Sequence, residues 1–455
     1  MLVPFSLDKP GCKNFRILAL ALVFLSTMLA TLRLVHQWGA NILFWDQWDF
    51  YNPYFKGETL WAAFRYQHSP HRQGLGAWVI ALSDGLSAWD SRVLGYVIVG
   101  LLALSCFLAL RLKVRLWGPL TFTDALIPAL FFRVSQFESL VLTANPAHGA
   151  IPLFLILLSA FVFTWRPRWP QSVALGLLSF FAAHTGFGLF LCASLVGLLG
   201  LQALSDGLCR KKSEIRSHLF SLVLVLAGLG SFFVHYRHGE FASECLQQGL
   251  PKISQVLGFA VVMFDKYFGF SRTHVPMKVL GFLLFFTPAV SGLLYAVRNL
   301  SAKVSPSDPS KKYPILFVLL GCPILYALNA SVGRYCLGAS VAQSSRYMTH
   351  MIPLGLGFYF LLLNLKAAPL TRYYLKRAYF VLVIAGAFYL SGSDKQALQH
   401  YAGGKAKWAA CYLAHEDIAQ CDRETSFQIY PAPAATDLKG KLDFLKDHHL
   451  NLFKE

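Results

Sequence analysis

Between residues 41 and 73 the chain reads NILFWDQWDFYNPYFKGETLWAAFRYQHSPHRQ, which sets Asp46, Asp49, His68, His71 and Arg72 among aromatic rings. Asp46 and Asp49 are three residues apart, so on a helix they project from one face. A carboxylate in a partly dehydrated pocket has its charged form disfavoured and takes a proton more readily than in water. Arg72 carries a planar fork that matches the oxygens of a phosphate, and His71 stands beside it as a hydrogen-bond donor. His68 and His71 offer two metal ligands in His-x-x-His spacing. Pro70 between them disfavours a helix, and no third ligand is evident from spacing, so no metal set is assigned. Proton abstraction next to an anion site is the chemistry these residue types support.

Other polar islands extend that chemistry. Glu138 stands beside Gln136 in SQFESLVLTANPAH (135–148), where an acid is expensive without a partner. Two readings of it are open: it positions a hydroxyl, or it pairs with an arginine. In SVGRYCLGASVAQSSRYMTH (331–350), Arg334 and Arg346 each precede a tyrosine, Tyr335 and Tyr347, with small residues around them. They read as clamps for a phosphate. His148 and His184 read as buried, satisfied histidines.

The elements that must position these groups are apolar. Of 455 residues 55% are hydrophobic and 14% charged, against about 25% charged in soluble domains. With a mean hydropathy of +0.48, the chain reads as an all-α polytopic membrane protein. Its formal net charge of +18 does not point to nucleic acid, because the lysines and arginines cluster in short segments between apolar runs. Crossings are expected near 16–35, 92–110, 122–137, 148–164, 171–184, 187–204, 218–235, 276–297, 313–330, 350–365 and 378–392, about eleven in all. With that count Arg111, Lys113 and Arg115, Arg166 and Arg168, Arg210 to Arg216, Arg298 to Lys312 and Lys366 to Arg377 all fall on one side, the cytoplasmic one. Lys9 and Lys13 put the N-terminus there too. Gln37 and Trp38 offer no small-residue cleavage site, so the first apolar run is kept as a span.

The first loop, 37–91, is then extracytoplasmic, with an interfacial helix over 74–89, and a membrane domain of 1–392 is followed by an extracytoplasmic region of 393–455. The polar islands share the outer face and suggest one cavity opening outward. Nine cysteines without a CxxC pair exclude a zinc ribbon or thioredoxin-type motif. Cys106, Cys192 and Cys322 read as packing residues. Cys411 and Cys421 either bridge, if the tail is outside, or stay reduced.

An N-terminal span followed by a large outer loop with Trp45-Asp46-Gln47-Trp48-Asp49, then QHSPHRQ and SSRY, resembles the GT-C superfamily of integral membrane glycosyltransferases, in a bacterial branch. The resemblance covers the chain from the first span to the start of the tail. It implies a GT-C-like fold in a bacterial inner membrane and transfer of a sugar from a polyprenyl-phosphate donor to a glycan, lipid or protein acceptor outside. It places the first-loop base on Asp46 or Asp49; the usual motif has adjacent acids, so the choice stays open. A divalent cation, magnesium or manganese, is an option the family allows, and no other cofactor is expected. Arg72, Arg334, Arg346 and His71 would hold the donor phosphate. Trp45, Trp48, His68, Glu138 and Tyr347 would contact substrate, the tryptophans alternatively lying in the headgroup belt. Rival readings are a transporter or flippase of a lipid-linked saccharide, and an O-antigen polymerase or ligase. Neither needs the acidic aromatic motif.

Overall fold

The computed structural model describes residues 13–68, 70–165, 169–208, 212–237, 245, 249–268, 275–301, 311–365 and 368–454. Among them nearly all regular structure is helical. The sheet is a two-stranded antiparallel hairpin, Gln67–His68 against His71–Arg72.

Seven stretches among the described residues are long and apolar enough to cross a membrane: Asn14–Trp38, Ser91–Trp117, Leu189–Leu208, Lys212–Phe232, Val279–Asn299, Lys312–Leu337 and Pro369–His415. The apolar part of the last is its first helix, Pro369–Ala387. The sequence leads to an expectation of about eleven crossings, and the difference lies in four places. Residues 122–137 contain Pro128 and break into 3-10 turns at Phe122–Ala125 and Val134–Gln136 around a short helix, Leu126–Phe131. Ala150–Val162 and Trp169–Ala183 are apolar but have only 13 and 15 residues. At 1.5 Å per residue they rise about 20 Å, short of the ~30 Å of hydrocarbon. Met348–Asn364 has 17 residues and buries most of them in the bundle. Short or broken helices are tolerated at membrane depth where protein, not lipid, surrounds them.

Packing follows small residues. A Cβ on Gly228 would lie 2.8 Å from Phe180 N, and one on Gly176 would lie 2.7 Å from Leu224 Cβ. These two glycines let the Trp169–Ala183 and Lys212–Phe232 helices approach closely, the usual source of helix association where lipid is as apolar as the side chains. The Lys312–Arg334 helix runs through the middle of the bundle with 14 buried residues.

The two ends of the bundle differ. At one end Lys113 pairs with Asp124 at 2.6 Å, Arg115 and Lys311 both donate to the Thr164 carbonyl, and Trp117 Nε1 donates to Asn364 Oδ1. Basic residues of two of the expected interhelical segments, 111–115 and 298–312, therefore collect there. Lys9, Arg166, Arg168, Arg210, Lys211, Lys303 and Lys366 lie outside the described residues. At the other end sit the 41–73 segment, the turns at 143–148 and 184–188, the 333–347 segment and the C-terminal region.

Two segments outside the expected crossings hold helices of their own. Residues 236–275, described only in part, hold a 16-residue helix, Ile253–Phe268, whose Lys266 forms a buried ion pair with Asp394. The tail folds into helices Gly392–His415, Ile418–Thr425 and Leu438–Asp447. Cys411 bridges to Cys421 within it, and a second disulfide, Cys245–Cys336, ties two loops that spacing did not pair. Cys106, Cys192 and Cys322 are free and buried.

Candidate functional site: a cavity at the loop end of the bundle

Trp45 sets the direction of the acidic motif. Its φ of +49° is left-handed, a conformation that costs a residue with a Cβ about 1–2 kcal/mol. Its N–H donates to the Ile429 carbonyl at 2.9 Å, which holds the turn in place. Asp46 follows, and a single helical turn, Gln47–Phe50, begins after it. Gln47 is buried and fixes the motif from the opposite side, its Nε2 donating to Ala144 O at 3.1 Å and its Oε1 accepting from Phe44 N at 3.0 Å.

The two aspartate carboxylates lie close together but have different partners. Asp46 caps the turn only by position; its carboxylate accepts no capping hydrogen bond and lines a cavity of about 740 Å³. Asp49 stands beside it, with a carboxylate oxygen within 4.8 Å of one of Asp46, but is held by the tail. Tyr430 OH donates to one of its oxygens at 2.9 Å and Thr436 Oγ1 to the other at 3.0 Å.

The hairpin brings the histidines to the same cavity. Gly74, at φ +50°, closes it against the 184–185 backbone, where a Cβ would lie 2.2 Å from His184 O. His68 and His71 face each other across the strands and both line the cavity. Burial first, and then the Arg334 guanidinium, pulls the His71 imidazole down to about 3. Burial likewise holds His148 well below the ordinary value, with His71 as the next contributor. Both are therefore neutral at physiological pH. His71 Nδ1 and His148 Nε2 are buried without a hydrogen-bond partner.

Arg334 and Arg346 reach the cavity from a third segment. Arg334 ends the Lys312–Arg334 helix, and its Nη1 donates to Tyr347 OH at 2.7 Å. The Cys245–Cys336 bridge braces the turn that follows it. Arg346 is exposed and lines the cavity beside Tyr347, which is buried. Glu138 anchors this segment. Its carboxylate accepts from Ser345 N at 2.8 Å and from Ser344 Oγ, while Ser345 Oγ accepts from Glu138 N at 2.9 Å. A carboxylate on the first amides of a helix is favoured by its dipole. Glu138 therefore orients Arg346 and does not itself line the cavity.

Three candidates from the sequence, Arg72, Trp45 and Trp48, lie elsewhere. Arg72 is 2% exposed, and its guanidinium is taken up by backbone: Nε and Nη2 donate to Phe232 O, Nη2 to Val234 O and Nη1 to Arg65 O, at 2.6–3.0 Å. It bonds the first loop to the end of the Lys212–Phe232 helix. Trp48 is fully buried and stacks near Phe55, and Trp45 is 44% exposed outside the cavity lining. Asp49 is held by the tail, as described. His184, away from the cavity, bonds through Nδ1 to Phe180 O at 2.9 Å.

Polarity alone did not reveal the phenylalanine wall. Phe187, Phe190, Phe232 and Phe233, at the ends of three helices, line the cavity with Tyr236 and Tyr326. Phe233 is half exposed. The recess is thus lined by charged, polar and apolar side chains together, Phe187 packing on His71. Its volume falls within the roughly 300–1,000 Å³ typical of small-molecule sites.

Chain spacing also missed one constellation. A ligand atom from each of Asp46, Asp49 and His68 lies within 4.8 Å of the others. Two carboxylates and an imidazole suit a divalent cation such as manganese better than a soft metal. Two of the three ligands come from the acid motif and one, His68, from the His-x-x-His string.

The chain matches no family model, no curated protein and no solved structure.

Proposed function

We propose that the protein is an inverting glycosyltransferase that moves a sugar from a polyprenyl-phosphate donor to a cell-envelope acceptor on the outer face of a bacterial inner membrane. The observation that carries this reading is Asp46. Its carboxylate makes no cap bond and stands in one recess with Arg334, Arg346 and several phenylalanines. A base, an anion site and an apolar channel are the three parts that a lipid-phosphate donor and a hydroxyl acceptor require.

Asp46 takes the proton from the acceptor hydroxyl as that oxygen attacks the anomeric carbon. The bond from that carbon to the phosphate oxygen breaks, and the phosphate leaves with the electron pair. It needs no proton, because Arg334 and Arg346 are already aimed at the charge that develops. One carboxylate suffices, unlike the carboxylate pair of a glycoside hydrolase. The neutral imidazoles of His71 and His148 are free to bond sugar hydroxyls or phosphate oxygens. The phenylalanine wall accommodates the isoprenoid. The two disulfides at the loop end of the bundle favour an oxidising compartment there, with the basic end in the cytoplasm.

Asp46, Asp49 and His68 fit a divalent cation, which would add positive charge next to the leaving phosphate. The test is a transfer assay with purified protein and defined polyprenyl-phosphate sugars, with and without chelator. Sugar transfer by the wild type supports the reading. Donor bound or moved across vesicles without transfer overturns it in favour of a flippase.

A further inference from the structure

We propose that the C-terminal helical region, 392–454, is a working part of this site, with Tyr430 and Thr436 as positioning residues for the acid motif. The inference rests on the reading of the cavity as a transferase site.

The contacts of residues 45–49 divide in an informative way. Trp45 N donates to Ile429 O at 2.9 Å, Lys441 Nζ donates to Trp48 O at 2.7 Å, and Asp49 accepts from Tyr430 and Thr436. Gln47 alone is fixed by the membrane domain, through Ala144 O. Asp46 is left over, and it is the one that faces the cavity. The tail therefore grips three of the four residues around it. Lys441 also donates to Thr436 Oγ1 at 2.6 Å, which leaves the threonine proton for Asp49.

This grip is more than the region needs for docking. The tail is fastened separately by Asn451, whose Nδ2 donates to Trp89 O at 2.7 Å and whose N–H donates to Ala88 O at 2.9 Å. Asn41 Nδ2 donates back to Asn451 O at 2.7 Å. Lys405 Nζ reaches the Val141 and Leu142 carbonyls at 3.3 Å each, and Phe44 packs on Tyr401 and Phe427. With these contacts intact, removing two hydroxyls leaves the tail in place and frees the Asp49 carboxylate. A one-turn helix with strained entry at Trp45 has little stability of its own. Loss of the Asp49 anchor should therefore let the turn, and Asp46 with it, sample other directions.

The hydroxyls can be removed without changing shape. Tyr430→Phe combined with Thr436→Val in the full-length protein should lower kcat for sugar transfer by about tenfold or more, with KM for the donor within about twofold. Thr436→Ser keeps the hydroxyl and should keep the rate. A double variant with wild-type kcat overturns the proposal, and so does an equal loss in Thr436→Ser. Hydrogen exchange decides the grip independently of turnover. The Asp49 and Phe50 amides, both bonded to Asp46 O, should exchange about tenfold faster in the double variant while the Gly392–His415 amides stay protected. Unchanged exchange at 49 and 50 overturns it. If the wild type transfers no sugar, the transferase reading fails by itself and the exchange comparison still decides whether the tail holds the turn.

Discussion

Asp46 and Asp49 are separated by two residues, yet one opens on a cavity and the other is clasped by two hydroxyls of the tail. The arginines divide in the same way. Arg72 spends its guanidinium on backbone carbonyls, Arg334 donates to Tyr347 OH, and Arg346 stands exposed at the recess. A buried polar group with all its partners is structure; one left short of partners in a recess is available to a ligand. The cavity side of the loop end is built from the second kind, and the tail side from the first.

The contrast is sharpest for the arginines. Arg334→Ala with Arg346→Ala should weaken binding of a polyprenyl-phosphate sugar by about a thousandfold, near 4 kcal/mol, with little loss of fold. Titration of the purified variant checks this; unchanged affinity breaks the distinction. Arg72→Ala should do the reverse. It strands three backbone carbonyls and should cost about 3 kcal/mol in unfolding free energy, read by thermal or denaturant unfolding. An Arg72 variant that is stable but blind to donor would move this residue back into the phosphate site.

Glu138→Gln should have a smaller and indirect effect. The amide still accepts from one serine but offers a donor where the carboxylate offered none, so a loss of about 1–2 kcal/mol is expected, with weakened donor binding through Arg346. Weakened binding with no change in unfolding would assign Glu138 a direct substrate contact instead.

The smallest effects concern pH. His71 falls to about 3 when folded, against an ordinary 6.5. Between those values the unfolded chain holds a proton that the folded chain does not, so stability is lost as pH falls from about 6.5 toward 3. On the tail side burial lowers Lys441 to about 8, from an ordinary 10.5, although Asp49 pulls it the other way. Here too the unfolded state binds the extra proton, so stability rises with pH between about 8 and 10.5. His71→Gln should flatten the acid window alone and Lys441→Met the alkaline window alone, in melting temperatures measured across pH. A variant that alters the other window would couple two regions held to be separate.

Hydropathy made the membrane class legible, and Lys/Arg clustering marked the basic end. The polar islands also led to Asp46, His68, His71, Arg334, Arg346 and Tyr347, which line one cavity although they come from distant segments. What stayed hidden was set by neighbours. The spacing rule for Asp46 and Asp49 brings their carboxylates near each other, as found, but does not show that only Asp49 is bound by the tail. Nothing near Arg72 announces that Phe232 and Val234 will supply its acceptors. The phenylalanine wall carries no polar signal, and the tail residues that hold Asp49 lie some 380 positions away. The expected span at 122–137 failed because apolarity does not report the breaks around Pro128.

The central claim is that Asp46, and not Asp49, does the proton chemistry. Single-turnover sugar transfer by Asp46→Asn and Asp49→Asn, at saturating donor, tests it directly. Asp46→Asn should transfer about a thousandfold more slowly with donor binding kept, and Asp49→Asn should retain a measurable fraction of the rate. Wild-type transfer by Asp46→Asn would contradict the account.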